Sequence, residues 1–157
     1  KMADLKVTIK ESINLNNTSY GSTRSATYKD ITDVYKRTLT LTADAVINLY
    51  TTVAAKTQGS VLDKDSIKYV RISNLESSES INVKLTQGSA GVTWLQVAAG
   101  DSLILGTHSE SMDAVATGGL LLADLDLGDI TQVDASANTA ETTARIEIFV
   151  ASVINAA

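Results

Sequence analysis

Hydrophobic and polar residues alternate along most of this chain with a period of two, the repeat of a strand with one covered and one wet face. Leu5, Val7 and Ile9 alternate with Lys6, Thr8 and Lys10, and Ile13 and Leu15 continue the series. Asn16-Asn17-Thr18-Ser19 reads as a turn, because Asn tolerates the left-handed region and bonds its own backbone. The polar stretch from Tyr20 to Tyr28 either pairs back as a hairpin or extends as an exposed arm. Further strands are predicted at Arg37–Leu41, Val46–Tyr50, Lys68–Asn74, Ile81–Leu85, Thr93–Ala98, Ser102–Leu105 and Arg145–Val150, with a short one at Ile130–Val133. Loop and turn signals separate them at Ala54–Asp65, Glu76–Ser80, Gln87–Gly91 and Gly100-Asp101. Thr107 to Gly119 is polar and irregular, and Leu120–Leu127 fits either a strand or a loop that packs leucines.

Many short strands with regular turn signals and no amphipathic helix predict an all-β fold, a single-domain β-sandwich of jelly-roll type. Residues 1–30 read as an N-terminal strand with a polar arm or hairpin, and residues 31–157 as the sandwich, one domain in all. Val70, Ile72, Ile81, Val83, Leu85, Leu95, Val97, Leu103, Ile146, Ile148 and Val150 share the alternating positions that should face a core between two sheets. Aromatics make up only 4% of the chain, so that core is aliphatic. The chain has no proline. Proline is a common blocker of sheet edges, so its absence suggests that a neighbouring subunit closes some of them.

Composition narrows the function classes. There is no cysteine, which excludes a disulfide scaffold and a thiolate zinc site. Lys1-Met2-Ala3-Asp4 opens without an apolar h-region, so no signal peptide is expected, and no apolar run reaches the roughly 18 residues of a membrane helix. The formal net charge of -5 disfavours a nucleic-acid partner. The pair Lys36-Arg37 is too small a basic patch to reverse that.

Candidate chemistry is sparse. The single histidine, His108, lies in a polar loop with no nucleophile-elbow pattern beside it. Asp124, Asp126 and Asp129 are close enough in sequence to supply oxygen ligands to a cation. On a strand, however, Asp124 and Asp126 simply form its wet face. No catalytic constellation and no cofactor motif is visible, so the expectation is a non-enzyme that needs neither cofactor nor metal. Trp94, outward if Leu95 and Val97 face the core, is either an interface anchor or a cap over the end of the sandwich. Tyr20, Tyr28 and Trp94 are the candidate partner contacts, with Arg24 positioning the arm.

The opening Met2-Ala3-Asp4-Leu5-Lys6-Val7-Thr8-Ile9-Lys10-Glu11 resembles that of small virion structural proteins of tailed phages infecting cyanobacteria and other marine bacteria. Val70-Arg71-Ile72-Ser73-Asn74-Leu75, Ala98-Ala99-Gly100-Asp101-Ser102-Leu103-Ile104-Leu105, Met112-Asp113-Ala114 and Ile146-Glu147-Ile148-Phe149-Val150-Ala151 are similar to later blocks of the same proteins. The resemblance implies a β-sandwich made in the host cytoplasm that joins a virion by contact. As a capsid decoration or cement protein it would bind the major capsid protein or other virion proteins, as a homo-oligomer with a trimer favoured. Two alternatives stand beside it: a neck or tail accessory protein, and a carbohydrate- or receptor-binding sandwich.

Overall fold

The computed structural model describes residues 2–42, 47–53, 62–63, 67–87, 91–106, 130–138 and 143–153. Among them every regular element is a strand. In chain order these are β1 (Ala3–Lys10), β2 (Ile13–Leu15), β3 (Thr18–Tyr20), β4 (Thr23–Ile31), β5 (Asp33–Thr42), β6 (Ile47–Val53) and β7 (Leu62–Asp63). They are followed by β8 (Ile67–Asn74), β9 (Ile81–Gln87), β10 (Gly91–Val97), β11 (Ser102–Gly106), β12 (Ile130–Ala137) and β13 (Thr143–Ser152). His108, the Leu120–Leu127 segment and the aspartates Asp124, Asp126 and Asp129 lie outside the described residues.

Two sheets form the body, one ordered β10-β9-β12-β6-β7 and the other β11-β8-β13-β5. All neighbours are antiparallel except β6 and β7. The inner faces meet in one aliphatic core, which makes the body a β-sandwich. Ile81, Val83 and Leu85 of β9 and Val133 and Ala135 of β12 face Val70 and Ile72 of β8 and Ile146, Ile148 and Val150 of β13, all fully or almost fully buried. Each such Val, Ile or Leu contributes about 1.5–3 kcal/mol by leaving water. Leu95 and Leu103 pack against this core but stay partly exposed, because β10 and β11 are the outermost strands of their sheets.

β12 runs four residues past the predicted Ile130–Val133. Its second half, Asp134-Ala135-Ser136-Ala137, looks like a loop by composition. Even so, Ala135 and Ala137 pair with Val83 and Ile81 in the core. Asp134, on the opposite side, is buried and accepts two hydrogen bonds from Gln132 Nε2 at 2.8 and 2.9 Å. A second buried polar group, Asn74, ties the turn after β8 to the end of β10. Its Nδ2 donates to the carbonyls of Glu79 and Ala98 at 2.7 and 3.1 Å, and its Oδ1 accepts the Glu76 N–H at 3.1 Å.

The N-terminal segment pairs with itself. β1 and β4 run antiparallel in a register that continues through the Glu11 N–H to Ser22 carbonyl bond into β2 and β3, without a slip from Leu5↔Tyr28 to Leu15↔Thr18. These strands form one two-stranded ribbon, roughly 33 Å from Leu5 to Leu15 at about 3.3 Å per residue. Asn16 and Asn17 close it with φ of 52° and 62°. Positive φ at both central residues is the two-residue hairpin turn whose twist matches the flanking strands. At the ribbon's root, Lys29 and Asp30 face the single residue Asp4, a bulge in which Asp30 takes φ 60° and its N–H meets Asp4 Oδ1 at 3.4 Å. Beyond the bulge the chain enters β5 at the edge of the four-stranded sheet.

Candidate functional site

Antiparallel pairing puts opposed residues on the same side of the ribbon. One side carries Leu5, Val7, Ile9, Glu11, Ile13 and Leu15 with their partners Tyr28, Ala26, Arg24, Ser22, Tyr20 and Thr18. The other is polar, and Thr8 and Ser25 share a hydrogen bond across it at 2.9 Å. The apolar side divides into two halves. Its near half lies on the outer face of the β11-β8-β13-β5 sheet: Leu5, Val7, Ala26 and Tyr28 pack with Tyr69, Phe149 and Ala151 in a second core. Tyr28 and Tyr69 rings sit 5.4 Å apart at 56°, and Tyr69 meets Phe149 edge-on at 6.1 Å. Burial raises the pKa of both tyrosines above the ordinary value of 10.0; Tyr69 adds to the effect on Tyr28, and Arg71 opposes it on Tyr69.

Among the described residues nothing covers the far half. Ile9, Ile13, Leu15 and Tyr20 are 51–58% exposed. Where the halves meet, ribbon and sheet enclose a groove of about 470 Å³, with Val7 and Ile9 on one wall and Phe149, Arg71, Lys36 and Ile104 on the other. Glu147 bridges the two cations, pairing with Lys36 at 3.0 Å and with Arg71. The hydrogen bond from Lys36, with help from Arg71, holds the Glu147 carboxyl below its ordinary value. Arg37 points to the other side and donates to Tyr35 Oη at 3.2 Å, so the sequence neighbours Lys36 and Arg37 form no joint basic patch.

The predicted contact residues therefore separate. Tyr20 is at the exposed tip and Arg24 is on the apolar side, level with Ile9. Tyr28 is 7% exposed and spent on its own chain's second core, which removes it from the surface set; a sequence-distant tyrosine, Tyr69, covers its ring. Trp94 is 52% exposed on the outer face of the other sheet. Lys84 opposes it across the strand pair, with Nζ 5.8 Å from the indole centroid and 3.8 Å from Asp134 Oδ2. Sequence reasoning missed Ile13, Leu15 and Ile104 as surface groups; their alternation was visible, but what lay over them was not. Among the described residues no group of three or more His, Cys, Asp or Glu is placed to hold a metal ion. No protein-family description, curated protein or solved structure matches this chain.

Proposed function

We propose that this chain is a non-enzymatic virion structural protein, a capsid decoration or cement protein that bridges neighbouring capsid subunits. The observation that supports it best is the ribbon. A two-stranded element whose apolar far half stays exposed among the described residues suits contact, since exposed contiguous apolar surface marks interaction sites. The resemblance of the strand blocks to phage virion proteins supplies the particle. Stabilisation would follow mass action, because a ligand that binds only the assembled lattice shifts the equilibrium toward it. A stable contact should bury at least about 1,000 Å² in total.

Reconstitution tests this reading. Purified protein is mixed with phage heads that lack it, and bound copies per head and the head's melting temperature are measured. A copy number that scales with the capsid lattice, with a raised melting temperature, supports decoration. Binding confined to one vertex moves the protein to the neck or tail, and no binding sinks the virion reading. A second reading rests on Trp94, whose exposed indole lies on a sheet face where a sugar ring could stack. A glycan array that binds wild type and not Trp94→Ala would favour it.

A further inference from the structure

Both halves of a complementary pair are present in this one chain. The far half of the ribbon is an apolar finger, and its only charged residue from Glu11 to Ser22 is Glu11 itself. The groove at the ribbon's base sets Val7, Ile9, Ile104 and Phe149 among Lys6, Lys36 and Arg71, a mixed lining whose rim is basic because these cations outnumber Glu147. The finger cannot reach its own slot. Leu5 to Ile9 already line the groove, and the shared register places Ile13 and Leu15 beyond Ile9, further out along the ribbon. We propose that the ribbon tip of one copy seats in the groove of a second copy of this chain, with Ile13, Leu15 and Tyr20 lying against Ile9, Phe149 and Ile104.

Three observations converge on a second copy. The exposed stripe continues, on the same side of the ribbon, a face that already packs on this sheet. The charges match, a lone carboxylate approaching a net positive rim. The groove, at about 470 Å³, falls within the size of clefts that hold drug-sized ligands and so admits a few aliphatic side chains. The finger is also pre-organised. Its turn residues already hold positive φ, and Gly21 lies so near the facing strand that a Cβ there would come within 2.6 Å of the Glu11 carbonyl oxygen. Seating it thus orders little that was free before. Such a contact is either exchanged between two copies or passed around a closed ring.

The inference rests on the contact-protein reading above, and light scattering of the purified full chain tests it. Wild type should have a mass of two or more times the 16.6 kDa chain. The tip variant Ile13→Ser/Leu15→Ser and the groove variant Ile104→Glu should each raise the self-dissociation constant at least about 30-fold, as loss of an interface hot spot does. Both alter exposed side chains, so their melting temperatures at monomer concentrations should match wild type. Mixing the two variants should give a 1:1 pair held by one intact contact, tighter than either variant alone and weaker than wild type, because the intact tip of one enters the intact groove of the other. Monomeric wild type, or variants that associate as wild type does, would overturn the proposal. So would a mixture that stays monomeric. The decoration reading fails separately. Wild type that self-associates but does not add to phage heads leaves the ribbon contact standing, and monomeric wild type that still adds to heads does the reverse.

Discussion

In the sandwich, Val83, Ile72 and Ile148 are wholly shielded from solvent, whereas in the ribbon Ile9, Ile13 and Leu15, at the same alternate spacing, stay more than half exposed. The residue types are alike and so is the period. The difference lies in what is stacked opposite. Two sheets supply each other's cover in the body, and among the described residues the ribbon is covered as far as Tyr69 and Phe149 extend. Alternation thus specifies a face, while the partner that dries it is set by topology. The ribbon's near and far halves repeat the contrast within a single element.

Truncation should expose this difference most sharply. Ile72→Ala, in the centre of the body, should cost about 2–5 kcal/mol in urea-induced unfolding, while Ile13→Ala should stay within about 0.5 kcal/mol. Equal effects at the two sites would erase the distinction. Tyr28→Ala sits between these extremes. It removes a ring shared by ribbon and sheet and should cost about 2–3 kcal/mol. Amide exchange should then quicken in β1 and β4 while β8 and β13 remain protected. Replacing Asn16 and Asn17 together by Ala should cost about 1 kcal/mol or more per position in ribbon stability, since both hold the left-handed conformation. The core's melting temperature should move far less than the exchange rates near the turn.

The smallest effects should come from pH. The backbone N–H of Arg145 at 2.8 Å, reinforced by its side chain, holds Glu76 below the ordinary 4.5, and the Lys36 hydrogen bond does so for Glu147. A carboxylate depressed in the folded state contributes stability that is full above about pH 4.5 and lost as pH falls through its folded value. Melting temperature should therefore decline below pH 4.5, and Glu147→Gln should flatten part of that decline. Tyr28 and Tyr69 shift the other way, so their contribution is full below pH 10 and fades as pH rises beyond it. Amide exchange at the ribbon's base should rise at that alkaline end before exchange in the sandwich does.

The core was readable because Val and Ile at alternate positions have one way to leave water on a strand. Val70, Ile72, Ile146 and Val150 fell where the spacing put them. Leu95 and Leu103 matched in direction and not in depth, because nothing in their local sequence marks β10 and β11 as outermost strands. The second half of β12 escaped notice, since Asp134 and Ser136 resemble loop residues until their pairing with Lys84 and Asn82 is seen. The turn at Asn16-Asn17 was visible, and the pairing of Tyr20–Tyr28 with the first strand was one of two options left open. Tyr28 looked like a surface anchor within a polar run. Its burial depends on Tyr69, far away in the chain, and no local pattern carries that contact.

The strand order also sets a timetable. The ribbon closes between residues close in sequence, so its hairpin should form within about 1–10 μs. The four-stranded sheet cannot close early, because β13 lies between β8 and β5 and pairs Asp33 with Ser152 at one end and Thr42 with Thr143 at the other. Contacts of such long sequence separation place folding in the range of milliseconds to seconds. On a ribosome the shelf of Phe149 and Ala151 does not exist until nearly the whole described chain has been made. The ribbon is then expected to wait with both halves of its apolar side bare, in a window when neighbouring nascent chains are the nearest cover.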